Sequence, residues 1–123
     1  MLTADDYMAL PPVAPDARIA YGPEPDQFGE LYLPPGPGPH PAMVLVHGGC
    51  WRAKYGLGPL GGVCVALRAA GFVIWSLEYR RIGGGGGWPV TLADVAAGAD
   101  ALPGLGAPID PARVLAAGHS AGG

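Results

Sequence analysis

Charge, cysteine and long apolar runs are all scarce in this chain of 123 residues. Only 14% of the residues are charged, seven Lys and Arg against ten Asp and Glu, for a net charge of -3. The basic residues are scattered, so no cationic stripe exists for nucleic acid or for an anionic membrane surface, and neither partner is expected. The two cysteines, Cys50 in a Gly-rich turn and Cys64 in a helix-like stretch, make no disulfide framework and fit a reducing, cytoplasmic compartment. No apolar run reaches membrane-spanning length. The start, Met1 to Pro12, carries Asp5 and Asp6 and lacks the basic and apolar regions of a secretory signal.

Glycine and proline are abundant instead, 22 and 15 residues, and they cluster at Pro34 to Pro41, Gly56 to Gly62 and Gly83 to Pro89. Because apolar runs separate these clusters, they read as loops between structured elements rather than as a disordered polymer. The run Gly83 to Gly87 is not followed by Gly-Lys-Ser/Thr, which excludes a P-loop. Gly56, Gly58 and Gly61 fit Gly-x-Gly-x-x-Gly, but they lie too far from the preceding strand, and Pro59 intrudes, so a dinucleotide site is rejected as well. No cofactor and no metal is expected.

Three runs of strand length show no polar alternation: Ala42 to Val46, Phe72 to Leu77 and Val114 to Ala117. Such runs suit strands buried on both faces of a parallel sheet. Between the first two, Leu60, Val63, Cys64, Leu67 and Ala70 fall at helical spacing, and Gly71 supplies a stop. Between the second and third, Thr91 with Asp94 resembles a capping box, and Leu92, Val95, Ala96, Ala99 and Leu102 line one helix face before Pro103 and Gly104. Alternating strands and helices demand an α/β fold, mostly parallel, with right-handed crossovers. Upstream, Arg18 to Tyr21 and Phe28 to Leu33 suit an antiparallel hairpin on the sheet edge, and Asp110-Pro111 reads as a turn.

Two motifs carry chemistry. Gly118-His119-Ser120-Ala121-Gly122 is a Gly-x-Ser-x-Gly nucleophile elbow directly after a strand, where a strained turn, costing about 1–3 kcal/mol, presents the serine hydroxyl. His47-Gly48-Gly49-Cys50-Trp51 follows the first buried strand, where glycines expose backbone amides. With the Ala121 amide these would converge on a tetrahedral oxyanion, each donor contributing roughly 2.7–4 kcal/mol to the transition state. His47 reads as a support for this turn, Cys50 as a small residue contributing its backbone, and Glu78 with Arg80 and Arg81 as a structural ion-pair cluster. Trp51 and Trp88 stand in loops where aromatic rings either line a pocket or cover a core, and neither is assigned to the site.

On these motifs, together with Glu78-Tyr79-Arg80-Arg81 and Gly86-Gly87-Trp88-Pro89, the chain from about Arg18 onward resembles the N-terminal half of an α/β-hydrolase of the esterase and arylformamidase kind. The resemblance implies a partial α/β-hydrolase fold, with residues 1–16 as an N-terminal extension and 17–123 as the first half of one domain. It implies Ser120 as nucleophile, with Gly48, Gly49, Cys50 and Ala121 around the oxyanion, acting on a small-molecule ester. Aryl formamides are the alternative substrate, and a non-catalytic hydrolase-like binding module is the competing class. In this family the triad runs Ser, acid, His, so both partners follow the elbow, and the expectation is an active parent protein but an inactive 123-residue chain. The resemblance also sets the strand Arg113 to Gly118 beside Ala42 to Val46 with its outer edge open, which predicts poor solubility. The oligomeric state stays open.

Overall fold

The computed structural model describes residue 1 and residues 3–123. In chain order the elements are α1 (Ala4–Met8), β1 (Ala17–Ala20), β2 (Phe28–Tyr32), β3 (His40–Val46), α2 (Gly61–Ala69), β4 (Val73–Leu77), α3 (Val90–Asp100) and β5 (Ile109–Gly118). Short 3-10 turns occupy Gly58–Leu60, Leu102–Leu105 and Ser120–Gly122. One sheet results, in the order β1-β2-β4-β3-β5, with β3 parallel to both β4 and β5 and the β1–β2 hairpin antiparallel on the β4 side. The expected parallel sheet and edge hairpin are both present, but of the three runs read as buried strands Val114 to Ala117 is not buried: it lies in β5 at the end of the strand order, with Val114, Leu115 and Ala116 exposed because no element covers them. Among the described residues, no helix is long and apolar enough to cross a membrane.

The central strand explains why its sequence shows no alternation. Every residue of β4 is buried, because successive side chains enter two different cores. Trp75 and Leu77 pack with Val44, Leu31 and Leu102 on the face that α3 covers, while Ile74 packs with Leu45, Tyr32, Leu60 and Cys64 on the face that α2 covers. Full burial of a side chain such as Ile74 or Leu77 stabilises the fold by about 1.5–3 kcal/mol. Trp75 also satisfies its indole N–H, which donates to the Gly98 carbonyl of α3 at 2.8 Å.

Four local readings need correction. In α2, Leu60 and Cys64 turn inward as the helical spacing requires, but Val63 is exposed and Gly61 takes the inner position against Val13. Thr91 and Asp94 form no capping box: α3 starts after Pro89 without a side-chain cap. Thr91 Oγ1 instead accepts from Gly87 N at 2.9 Å and donates to Arg80 O at 2.7 Å, while Asp94 is buried against Arg80, so tertiary contacts claim both side chains. Leu92 and Ala96, expected on the inner face, are exposed. The turn at Asp110-Pro111 lies inside β5, where the pairing with β3 shifts between His40 and Ala42. There Asp110 Oδ1 accepts from Ala112 N at 2.9 Å, an Asx-type turn embedded in a strand.

The segment before β1 is joined to the sheet domain. Val13 packs on the α2-side core, Asp16 Oδ2 accepts from Leu33 N at 2.7 Å, and the Tyr7 ring lies 5.7 Å from that of His119.

Candidate active site

The pairing of β3 with β5 brings the two motifs together. Val46 stands opposite Gly118 in a parallel register, so the residues that follow each strand leave the sheet at the same end. His119 N donates to Val46 O at 3.0 Å, extending the ladder one step. The chain then turns at Ser120, whose φ of 54° is positive, a conformation costly for a side chain with a Cβ. Gly122 N to His119 O at 2.9 Å and Gly123 N to Ser120 O at 3.0 Å close the first turn after it. Ser120 is exposed.

The glycines of both motifs are required by close approach. A Cβ on Gly48 would lie 2.6 Å from the His119 carbonyl oxygen and 2.9 Å from Ser120 Cβ. A Cβ on Gly122 would run into the Val46 carbonyl oxygen and lie 2.8 Å from that of His47. The elbow is therefore seated on the end of β3 and the turn that follows it. The next residues, Gly49, Cys50 and Trp51, have φ of 122°, 54° and 58°, so the turn coils back on itself. Trp51 Nε1 donates to Ala121 O at 3.0 Å and ties this turn to the elbow from the outer side.

Among the described residues, the backbone N–H groups of Gly48, Gly49, Cys50 and Ala121 donate to no protein acceptor. Gly48 is in direct contact range of Ser120, Ala121 follows it, and Gly49 packs against Tyr55. Cys50 lies further out, exposed, with a free thiol. Unpartnered backbone amides and an exposed serine therefore stand at the same end of the sheet.

A buried polar cluster supports the turn from below. His47 is 1% exposed; its Nε2 sits 2.6 Å from Glu78 Oε1 and its Nδ1 donates to Gly48 O at 2.7 Å. Its ring stacks on Tyr79 at 4.5 Å between centroids. Tyr79 donates its hydroxyl to His47 O at 2.6 Å. Burial, with the Glu78 negative charge beside it, pushes that phenol up to about 12, so it is a neutral donor at any working pH. Arg81 lies 3.4 Å from Glu78 and donates to the carbonyls of Tyr79, Ala53 and Tyr55. Arg80 makes its ion pair with Asp94, so only Arg81 of the two arginines belongs to the Glu78 cluster. The sequence marks this cluster by three polar residues at the end of an otherwise apolar strand; that they reach across to β3 becomes visible only with β4 paired beside it.

No local base is in place. Among the described residues, no imidazole or carboxylate hydrogen-bonds Ser120: His47 is committed to Glu78 and Gly48, His40 to the Gly36 carbonyl at 3.1 Å, and the neighbouring His119 faces Tyr7. Beside the elbow opens a cleft of about 470 Å³ whose walls include Trp51, Ile82, Trp88, Leu92, Val95 and Ala121. Both tryptophans thus line the cleft, 51% and 84% exposed, rather than covering a core.

The sequence matches no protein-family model and no curated protein. Solved structures do match. A bacterial heroin esterase superposes with a TM-score of 0.68 at 27% identity, over 86% of this chain and 34% of its own. Esterase B from Lactobacillus rhamnosis gives 0.76 at 23% identity, over 96% of this chain and 41% of its own. The Est2 esterase of Thermogutta terrifontis gives 0.66 at 23% identity, over 86% and 42%. The chain thus spans between about a third and two fifths of the length of these structures. Its five-stranded sheet, with helices on both faces and a strained serine turn after the edge strand, is part of an α/β-hydrolase fold.

Proposed function

We propose that the whole protein is a serine hydrolase of carboxylic esters, with Ser120 as nucleophile and the amides of Gly48, Gly49, Cys50 and Ala121 around the oxyanion. The observation that carries this reading is the contact of Gly48 with a positive-φ serine, next to amides that have no partner among the described residues. Ser120 Oγ attacks the ester carbonyl carbon as its proton passes to a base, and the amides hold the resulting oxyanion. The alcohol then leaves with a proton, and water releases the acid from the acyl-enzyme. The base and its acidic partner come from outside these 123 residues, since no imidazole here reaches Ser120. By the same reasoning the 123-residue chain alone is inactive.

The cleft beside the elbow has apolar and aromatic walls, which suits an uncharged ester with a bulky group. Its likeness to a heroin esterase supports an ester rather than a formamide substrate. Two free thiols, Cys50 and Cys64, fit a reducing cytosolic setting.

Hydrolysis of p-nitrophenyl acetate and butyrate tests the proposal on the protein expressed from its whole reading frame. Ser120→Ala is expected to lower kcat by about 10⁴-fold or more. The isolated 123-residue chain is expected to show no Ser120-dependent turnover. Turnover that survives Ser120→Ala overturns the assignment.

A further inference from the structure

The buried cluster under the turn aims the amides. We infer that Tyr79 and His47 are positioning residues that fix two successive peptide planes, so that the N–H groups of Gly48 and Gly49 face away from the core as a pair of oxyanion donors. This inference rests on the esterase reading above and adds to it which side chains make the donors competent.

The geometry is that of two carbonyls held from inside. The Tyr79 hydroxyl donates to the His47 carbonyl at 2.6 Å, and His47 Nδ1 donates to the Gly48 carbonyl at 2.7 Å. A carbonyl oxygen only accepts, so Nδ1 carries the proton in that contact. The peptide bonds in this turn are trans, the only cis bonds among the described residues being Gly38-Pro39 and Trp88-Pro89. In a planar trans peptide the C=O and N–H point in opposite directions. Pulling the His47 carbonyl inward therefore turns the Gly48 N–H outward, and pulling the Gly48 carbonyl inward does the same for Gly49. Both amides lack a protein acceptor among the described residues, and Gly48 is the residue packed against Ser120.

The holding groups are themselves immobilised. Glu78 Oε1 lies 2.6 Å from His47 Nε2 and fixes the ring from its far side. Tyr79 N and Leu57 N each donate to the same carboxylate at 3.2 Å, and Arg81 flanks it at 3.4 Å. The imidazole and phenol rings stack within 17° of parallel, so neither rotates without displacing the other. No buried side-chain polar atom is left without a partner among the described residues, which makes the cluster rigid rather than strained. Tyr79 also borders the cleft beside the elbow, but its hydroxyl is spent on the His47 carbonyl, so it acts, like His47, through the backbone of residues 47–49.

Tyr79→Phe deletes one hydroxyl and keeps the stacked ring, so it is the cleaner variant; His47→Ala removes the second tether. In the protein expressed from its whole reading frame, each is expected to lower kcat for p-nitrophenyl butyrate by roughly 10–100-fold with KM within about threefold, since an oxyanion forms only in the transition state. A crystal structure of Tyr79→Phe is expected to show the 47–48 peptide rotated. Unchanged kcat in Tyr79→Phe, a loss that falls on KM alone, or an unmoved peptide in that variant overturns the inference while leaving the esterase reading intact. A wild-type protein without Ser120-dependent turnover overturns the esterase reading, and the inference with it.

Discussion

Ser120 holds a conformation that its own side chain disfavours. At φ 54° a glycine has no Cβ to crowd the backbone, so Ser120→Gly is expected to stabilise the protein by about 1 kcal/mol in urea unfolding while abolishing hydrolysis. Ser120→Ala keeps the Cβ and is expected to give no such gain; equal stability of the two variants would show that the turn stores no strain. The residues of this turn were legible from the sequence because the chemistry demands residue types at fixed spacing: a serine between glycines, and paired glycines after a strand. Glu78 was legible as part of an ion-pair cluster with the arginines after it, and Tyr79 only as a member of the same motif. Their partners, His47 and the carbonyls beside it, lie some thirty positions earlier, and only the pairing of β4 with β3 brings them within reach.

At the scale of elements, the strands were easier to read than the helix starts. Apolar runs declare the parallel strands by composition, although not that β5 is left uncovered, whereas Thr91 and Asp94 carry the letters of a capping box and spend their hydrogen bonds on the preceding loop. Asp94 accepts from Arg80 Nε at 2.9 Å, Arg80 Nη2 at 2.9 Å and Gln27 Nε2 at 2.8 Å, binding α3, the end of β4 and the β1–β2 loop into one joint. Burial alone would raise its carboxyl, but these bonds outweigh that effect and hold it below the ordinary 3.8. A carboxyl lowered by folding contributes stability that is complete above its unfolded value and is lost as pH falls through the folded one. Asp94→Asn is therefore expected to cost about 2 kcal/mol near neutral pH and to flatten the acid limb of stability below about pH 4. A thermal-unfolding series across that range checks both effects, and a variant with wild-type stability at pH 7 would remove the joint from the account.

For the molecule as a whole, the open side of the sheet dominates. β5 ends the strand order, and its consecutive residues Val114 and Leu115, which point to opposite faces, are 44% and 53% exposed. An apolar edge strand with both faces uncovered is a template for pairing with another chain. The 123-residue chain is accordingly expected to self-associate at micromolar concentration, and Leu115→Lys to reduce that association; sedimentation velocity separates monomer from larger species, and a wild-type monomer would contradict the expectation. The position of β5 beside β3 could not be read from local periodicity. It followed from the resemblance to hydrolases, because strand order is decided by long-range packing that a single run of apolar residues does not encode.

That neighbour relation has a consequence for how the molecule fails. Ser120 and the glycine turn come from distant stretches of chain and meet only where Val46 lies opposite Gly118. Peeling the edge strand away, by heat or by capture of its free side, separates the Ser120 turn from the glycine turn in a single event. The two turns then part at the first fraying of the sheet, without waiting for the core around Trp75 to melt.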